Sequence, residues 1–151
     1  MRYSETGADT AGVAIDMRFL HTMLRVSDVD ASLDFYCNKF GLKEMRRKDV
    51  TAGRFTLIFL AAPKDMAGSE ANGAPELELT YNWDTSYYEH GNAFGHIAIE
   101  VDDIYKICVE IKDKGAKVIR DPGPMMGSKL LLAFIEDPNG YKIELIEKGT
   151  F

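Results

Sequence analysis

Two histidines and two glutamates stand at matched places along this 151-residue chain. His21 opens the apolar stretch "HTMLRV", and His96 opens "HIAIEV" 75 residues later. Glu78 lies within "LELTYNW" and Glu144 within "YKIELIE". Neutral imidazole and ionised carboxylate are borderline-to-hard donors that suit a divalent cation. No thiolate joins them, which argues against a structural zinc site. Two nitrogens and two oxygens with room for water fit octahedral Ni²⁺, Co²⁺ or Mn²⁺, or an open Zn²⁺ site. Each residue alone is ordinary, since a strand histidine is usually a satisfied core or edge residue and a strand glutamate usually faces solvent. Their shared register is what gives the set weight.

The elements that carry these residues recur. Residues 19–26 are apolar with period two, as in a strand, and Asp28 or Asp30 follows as a helix cap. Leu33, Tyr36, Cys37 and Phe40 recur at helical spacing until Gly41, a residue suited to the left-handed C′ position. Strands are expected near 43–47, 55–61 and 77–81. The order then returns: a strand over 95–101, Asp102 or Asp103 as a cap, a stripe of Ile104, Ile107, Cys108 and Ile111, and a stop at Gly115. Strands near 117–120, 129–135 and 142–146 complete the second copy. Val26 and Val101 are also 75 residues apart, which points to an internal duplication.

The expected architecture is α+β: two tandem βαβββ modules with curved, mostly antiparallel sheets around a metal cleft. Module one spans about residues 17–83 and module two about 92–148. They form a single domain over 17–148, with a flexible leader over 1–16 and a tail over 149–151. The long connection "AAPKDMAGSEANGAP", rich in Ala, Gly and Pro, is expected to be the most mobile internal segment. Alternation sets side-chain direction. Leu77, Leu79 and Tyr81 share one strand face, so Glu78 projects from the other. Likewise Glu144 projects opposite Ile143 and Leu145. His21, Met23 and Arg25 share a face, as do His96, Ala98 and Glu100. His90 lacks a partner in the repeat and reads as solvated.

A net charge of -6 argues against nucleic acid or an anionic membrane as the main partner. No apolar run approaches the roughly 18 residues a membrane span needs. Cys37 and Cys108, two thiols in helical patterns, read as reduced and packed, which suits a cytoplasmic setting.

"LHTMLRV", "LELTYNW", "FGHIAIEV" and "FIEDPNGYKIELIE" resemble glyoxalase I, a lactoylglutathione lyase of the vicinal-oxygen-chelate superfamily. The resemblance runs from about residue 17 to 148 and looks bacterial. It implies isomerisation of the methylglyoxal–glutathione hemithioacetal to S-lactoylglutathione, with Ni²⁺ or Co²⁺ favoured over Zn²⁺. It also implies a homodimer with interfacial sites, in which His21 and Glu78 come from one subunit and His96 and Glu144 from the other. Glu144 is then the general base and Glu78 its counterpart for the opposite stereochemistry. Arg25 and Asn82 fall where the family binds glutathione, and Arg120 where a basic residue meets the glycyl carboxylate. Asn92 departs from longer eukaryotic members, which carry arginine there. Leu132 and Phe134 are either the apolar pocket around the methyl group or ordinary core. The other readings are a different metalloenzyme on this scaffold (epimerase, thiol transferase or extradiol dioxygenase) and a metal-free binding dimer.

Overall fold

Aspartates start both principal helices. Asp28 accepts a hydrogen bond from the Ala31 amide at 2.9 Å and begins α1 (Val29–Leu33). Asp103 accepts from the Lys106 amide at 3.0 Å and begins the longer helix Ile104–Asp113. Each side-chain oxygen satisfies one of the amides that a helix start leaves without a partner. The computed structural model describes residues 17–151, so the expected leader over 1–16 lies outside the described residues.

Module one contains β1 (His21–Val26), α1, β2 (Lys43–Val50), β3 (Phe55–Ala61) and β4 (Glu76–Asn82). Its sheet has the order β1-β4-β3-β2, with β1 parallel to β4 and the other pairs antiparallel. A short helix α2 (Met66–Asn72) lies between β3 and β4. The helix Ile104–Asp113 is α3, and it follows β5 (Ile97–Val101). Then come β6 (Lys117–Pro124), β7 (Leu131–Glu136) and β8 (Lys142–Glu147), in the order β5-β8-β7-β6. The expected duplication is therefore a duplication of topology as well. Leu24, Val26 and Leu79 from one sheet and Val101, Ile143 and Leu145 from the other join a common core cluster with both helices.

Three local expectations change. The helix after Asp28 turns π-helical over Asp34–Lys39, where the Phe40 and Gly41 amides reach back five residues to Phe35 and Tyr36. The wider turn shifts the buried face, so Phe35 joins Tyr36 in the core while Leu33, Cys37 and Phe40 are half-buried. Leu20 is exposed ahead of β1, so the first strand is shorter than its apolar run. The connection read as a loop carries α2, which ends at Gly73 with φ +71°. A seven-residue helix has little stability of its own. Here the buried Ser69 hydroxyl donates to the buried carboxylate of Glu76 at 2.5 Å and fastens it.

The modules are tied at the turn after β7. Tyr36 donates to Asp137 at 2.6 Å, while Asp137 also accepts from the Asn139 and Tyr141 amides. The Asn139 amide group donates to the Ser27 hydroxyl at 2.8 Å. Burial pushes the Asp137 carboxyl above its ordinary value despite these three donors. Burial, with Asp137 alongside, raises the Tyr36 phenol well above its own.

Candidate metal centre

Strand pairing positions the first pair of ligand-type residues. Met23 and Phe59 are the register partners of Glu78 on either side, and His21 lies two residues before Met23 on the same face. The His21 Nε2 lies 2.7 Å from Glu78 Oε2, with the imidazole edge-on to Phe59 at 5.9 Å between ring centres. Module two repeats this arrangement. Ala98 and Phe134 flank Glu144, and the His96 Nε2 lies 3.0 Å from Glu144 Oε2. Its imidazole is edge-on to Phe134 at 5.4 Å. His96 stands immediately before β5 rather than inside it.

The donor geometry fits a divalent ion. A nitrogen and an oxygen each about 2.1 Å from one ion, and at right angles to it, lie about 3 Å apart. Both histidines offer Nε2, and in each pair the partner is one carboxylate oxygen. Yet among the described residues no three ligand-type side chains gather at one point. The described residues bring the four together as two separate His–Glu pairs, each a candidate half-site.

The predicted substrate contacts divide between the half-sites. β4 continues to Asn82, so Asn82 shares the face of Glu78 and Thr80. Arg25 is the register partner of Thr80 on that face and is exposed. The Asn82 side-chain amide donates to the Tyr88 hydroxyl at 3.0 Å. Arg120 and Phe134 join His96 in a cavity of about 310 Å³ that Lys142 also lines. Leu132 lies two residues before Phe134 on the same face and is buried, while the intervening Ala133 enters the core. His90 is not simply solvated, because it is half-buried and stacks on Tyr141 at 4.3 Å.

Sequence reasoning missed the surroundings of the ligands. Phe59 is the exact counterpart of Phe134 in register, though only a strand alignment across the repeat reveals it. A register shift precedes both Arg46 and Arg120, and each then pairs with the phenylalanine of its module. Bulges re-aim side chains in this way. Arg46 lies over the Phe59 ring at 3.9 Å and forms a two-pronged pair with Glu76, whose side chain is buried. Burial by itself would raise the Glu76 carboxyl, but Arg46 and Ser69 outweigh it and hold it below the ordinary glutamate value. In module two the place of Glu76 belongs to Lys142. Arg120 finds no carboxylate there and donates to backbone carbonyls instead, that of Leu132 at 2.6 Å. Glu136, opposite Lys142 in register, is held by Lys117 at 2.8 Å.

This duplicated arrangement is a known one. Residues 18–145 match the Glyoxalase/Bleomycin resistance protein/Dioxygenase superfamily. The chain belongs to that superfamily. It is 53% identical over 134 residues to a lactoylglutathione lyase of Neisseria meningitidis, covering 89% of this chain and 93% of the relative. A probable lactoylglutathione lyase of Synechocystis is 52% identical, with 89% and 98% covered. Glyoxalase I from Zea mays superposes with a TM-score of 0.76 at 41% identity over 85% of this chain, which spans 44% of the maize chain. The trypanothione-dependent glyoxalase I of Leishmania major superposes with a TM-score of 0.73 at 38% identity, covering 89% and 88%.

Proposed function

We infer that this protein is a lactoylglutathione lyase, isomerising the hemithioacetal of methylglyoxal and glutathione to S-lactoylglutathione. The observation that carries the reading is the repeated His–Glu pair, with each imidazole Nε2 within 3.0 Å of one carboxylate oxygen. Similarity to lactoylglutathione lyases across nearly the whole chain supports it. His21, Glu78, His96 and Glu144 would hold one divalent ion, Ni²⁺ or Co²⁺ in preference to Zn²⁺. Such an ion supplies Lewis-acid stabilisation of negative charge developing on the substrate oxygens.

Because one chain offers two separate half-sites, the complete set would form in a homodimer. His21 and Glu78 of one protomer would then meet His96 and Glu144 of its partner. Glu144 is the base that lifts the proton from the carbon beside the carbonyl and returns it to the neighbouring carbon. The histidines serve as ligands and must be neutral to do so. Phe59 and Phe134 wall the reacting atoms and limit water. Arg25 and Asn82 lie along the same face as Glu78, in reach of the thiol tripeptide. Arg120 and Lys142, cationic and without a carboxylate partner among the described residues, suit its free carboxylate. That charge favours glutathione over a thiol whose carboxylates carry a polyamine. The two free thiols accord with a reducing, cytoplasmic setting.

The test combines metal analysis of the purified protein with an absorbance assay on methylglyoxal and glutathione. The reading predicts turnover that chelation abolishes and Ni²⁺ or Co²⁺ restores. Equal turnover in chelated and reloaded protein would contradict it.

A further inference from the structure

The two glutamates occupy equivalent positions but are not held alike. Glu78 Oε2 receives the His21 contact, while its Oε1 accepts a hydrogen bond from the Thr80 hydroxyl at 3.2 Å, in a buried setting. Thr80 follows Glu78 by two residues, so the two side chains share a sheet face. The register partners of Glu78 are Met23 and Phe59, neither of which offers a polar donor. In module two the place of Thr80 belongs to Ile146, which has no side-chain donor. Among the described residues no group donates a hydrogen bond to Glu144 Oε1. The neighbour across the sheet is also smaller, Ala98 where module one has Met23.

We propose that Thr80 is a positioning residue that keeps Glu78 in place as the retained metal ligand and leaves Glu144 as the carboxylate free to move. The proposal rests on the metal-dependent reading above. Withdrawing Glu78 from an ion would strip its second oxygen of the one donor it has among the described residues, in a buried place, a step that buried charge resists. Glu144 meets no such resistance, and the small Ala98 leaves it room to turn. The duplication thus supplied two equal ligands, and one hydroxyl made them unequal.

The test is calorimetric titration of Co²⁺ into the metal-stripped full-length protein, comparing wild type with Thr80→Val, Thr80→Ser and Ile146→Thr. Partners that orient a ligand typically contribute 10- to 100-fold in metal affinity, and for one neutral hydroxyl at 3.2 Å about tenfold is expected for Thr80→Val. Thr80→Ser retains the hydroxyl and should bind nearly as wild type does. Ile146→Thr gives Glu144 a donor, so it should bind Co²⁺ more tightly yet turn over more slowly. Unchanged affinity in Thr80→Val overturns the proposal. So does equal weakening by Ser and Val, which would mark lost packing rather than a lost hydrogen bond. A wild-type protein that binds no Co²⁺ overturns the metal reading itself, an outcome distinct from bound metal that ignores Thr80.

Discussion

Module one and module two share His, Phe and Glu in register, but they treat the charges around that trio in opposite ways. In module one Arg46 is answered from within by Glu76, which Ser69 of α2 also holds. In module two the equivalent Arg120 has Lys142 where a carboxylate would be, and it settles on backbone carbonyls. One half has closed its electrostatics into structure, while the other leaves two cations beside His96 in an open cavity. A duplicated scaffold can therefore keep its ligand-type trio in common and treat the cation beside it differently, paired with a buried carboxylate in one half and left beside the cavity in the other.

The largest expected effect separates the glutamates. Glu144→Gln should cut turnover by about 10²–10⁴ while retaining much of the metal, the usual scale for losing a proton-transferring group. Glu78→Gln should instead lower metal content, and steady-state kinetics beside metal analysis reads the difference. Identical behaviour of the two variants would remove the distinction between the half-sites.

The paired arginines come next. Arg120→Met or Lys142→Gln should raise KM for the hemithioacetal by about tenfold, since a charge-assisted hydrogen bond to the substrate is lost. Arg46→Met should act on the fold, costing about 1–3 kcal/mol because it strands the buried Glu76. Denaturant titration measures that loss. If Arg46→Met raised KM as Arg120→Met does, the two halves would not have divided these tasks.

The smallest effect is in acid. The Glu76 carboxyl is held below its ordinary value of 4.5, so its contribution to stability is complete above that pH and fades as pH falls through the lower folded value. Asp137 is the reverse case: burial raises it above 3.8, so the folded state is penalised as pH climbs from there. Comparing Tm from pH 6 down to pH 3, Glu76→Gln should flatten the acid loss. Asp137→Asn, which keeps an oxygen for the two amides, should steepen it. Parallel curves for the two variants would contradict these opposite signs.

The four ligand-type residues were legible because alternation along one strand is enough to fix a side chain's direction. The matched spacing of His21 and His96 supplied the rest. What a single strand cannot encode is its partner. Arg46 meets Phe59 and Glu76 only because β2 slips by one residue beside β3, and that slip leaves no trace in composition. Lys142 was hidden for the same reason, since its value depends on Arg120 two strands away. The π-helical turn defeated a strict 3.6-residue stripe by inserting Phe35 into the core. The helix α2 escaped notice because a contact with Ser69, rather than helix propensity, holds it. His90 read as solvated because Tyr141, its stacking partner, lies 51 residues further along the chain.

The central claim is that each site draws two ligands from each of two copies. Co-expression of a His21→Ala chain with a His96→Ala chain tests it most directly. Either variant alone has both sites broken. In a mixed dimer one site receives His21 and Glu78 from the His96→Ala chain and His96 and Glu144 from the His21→Ala chain, and so is whole. With random pairing, half of the dimers are mixed and each carries one intact site, so activity should recover to about a quarter of wild type. Activity no higher than the average of the two separate variants would contradict the account.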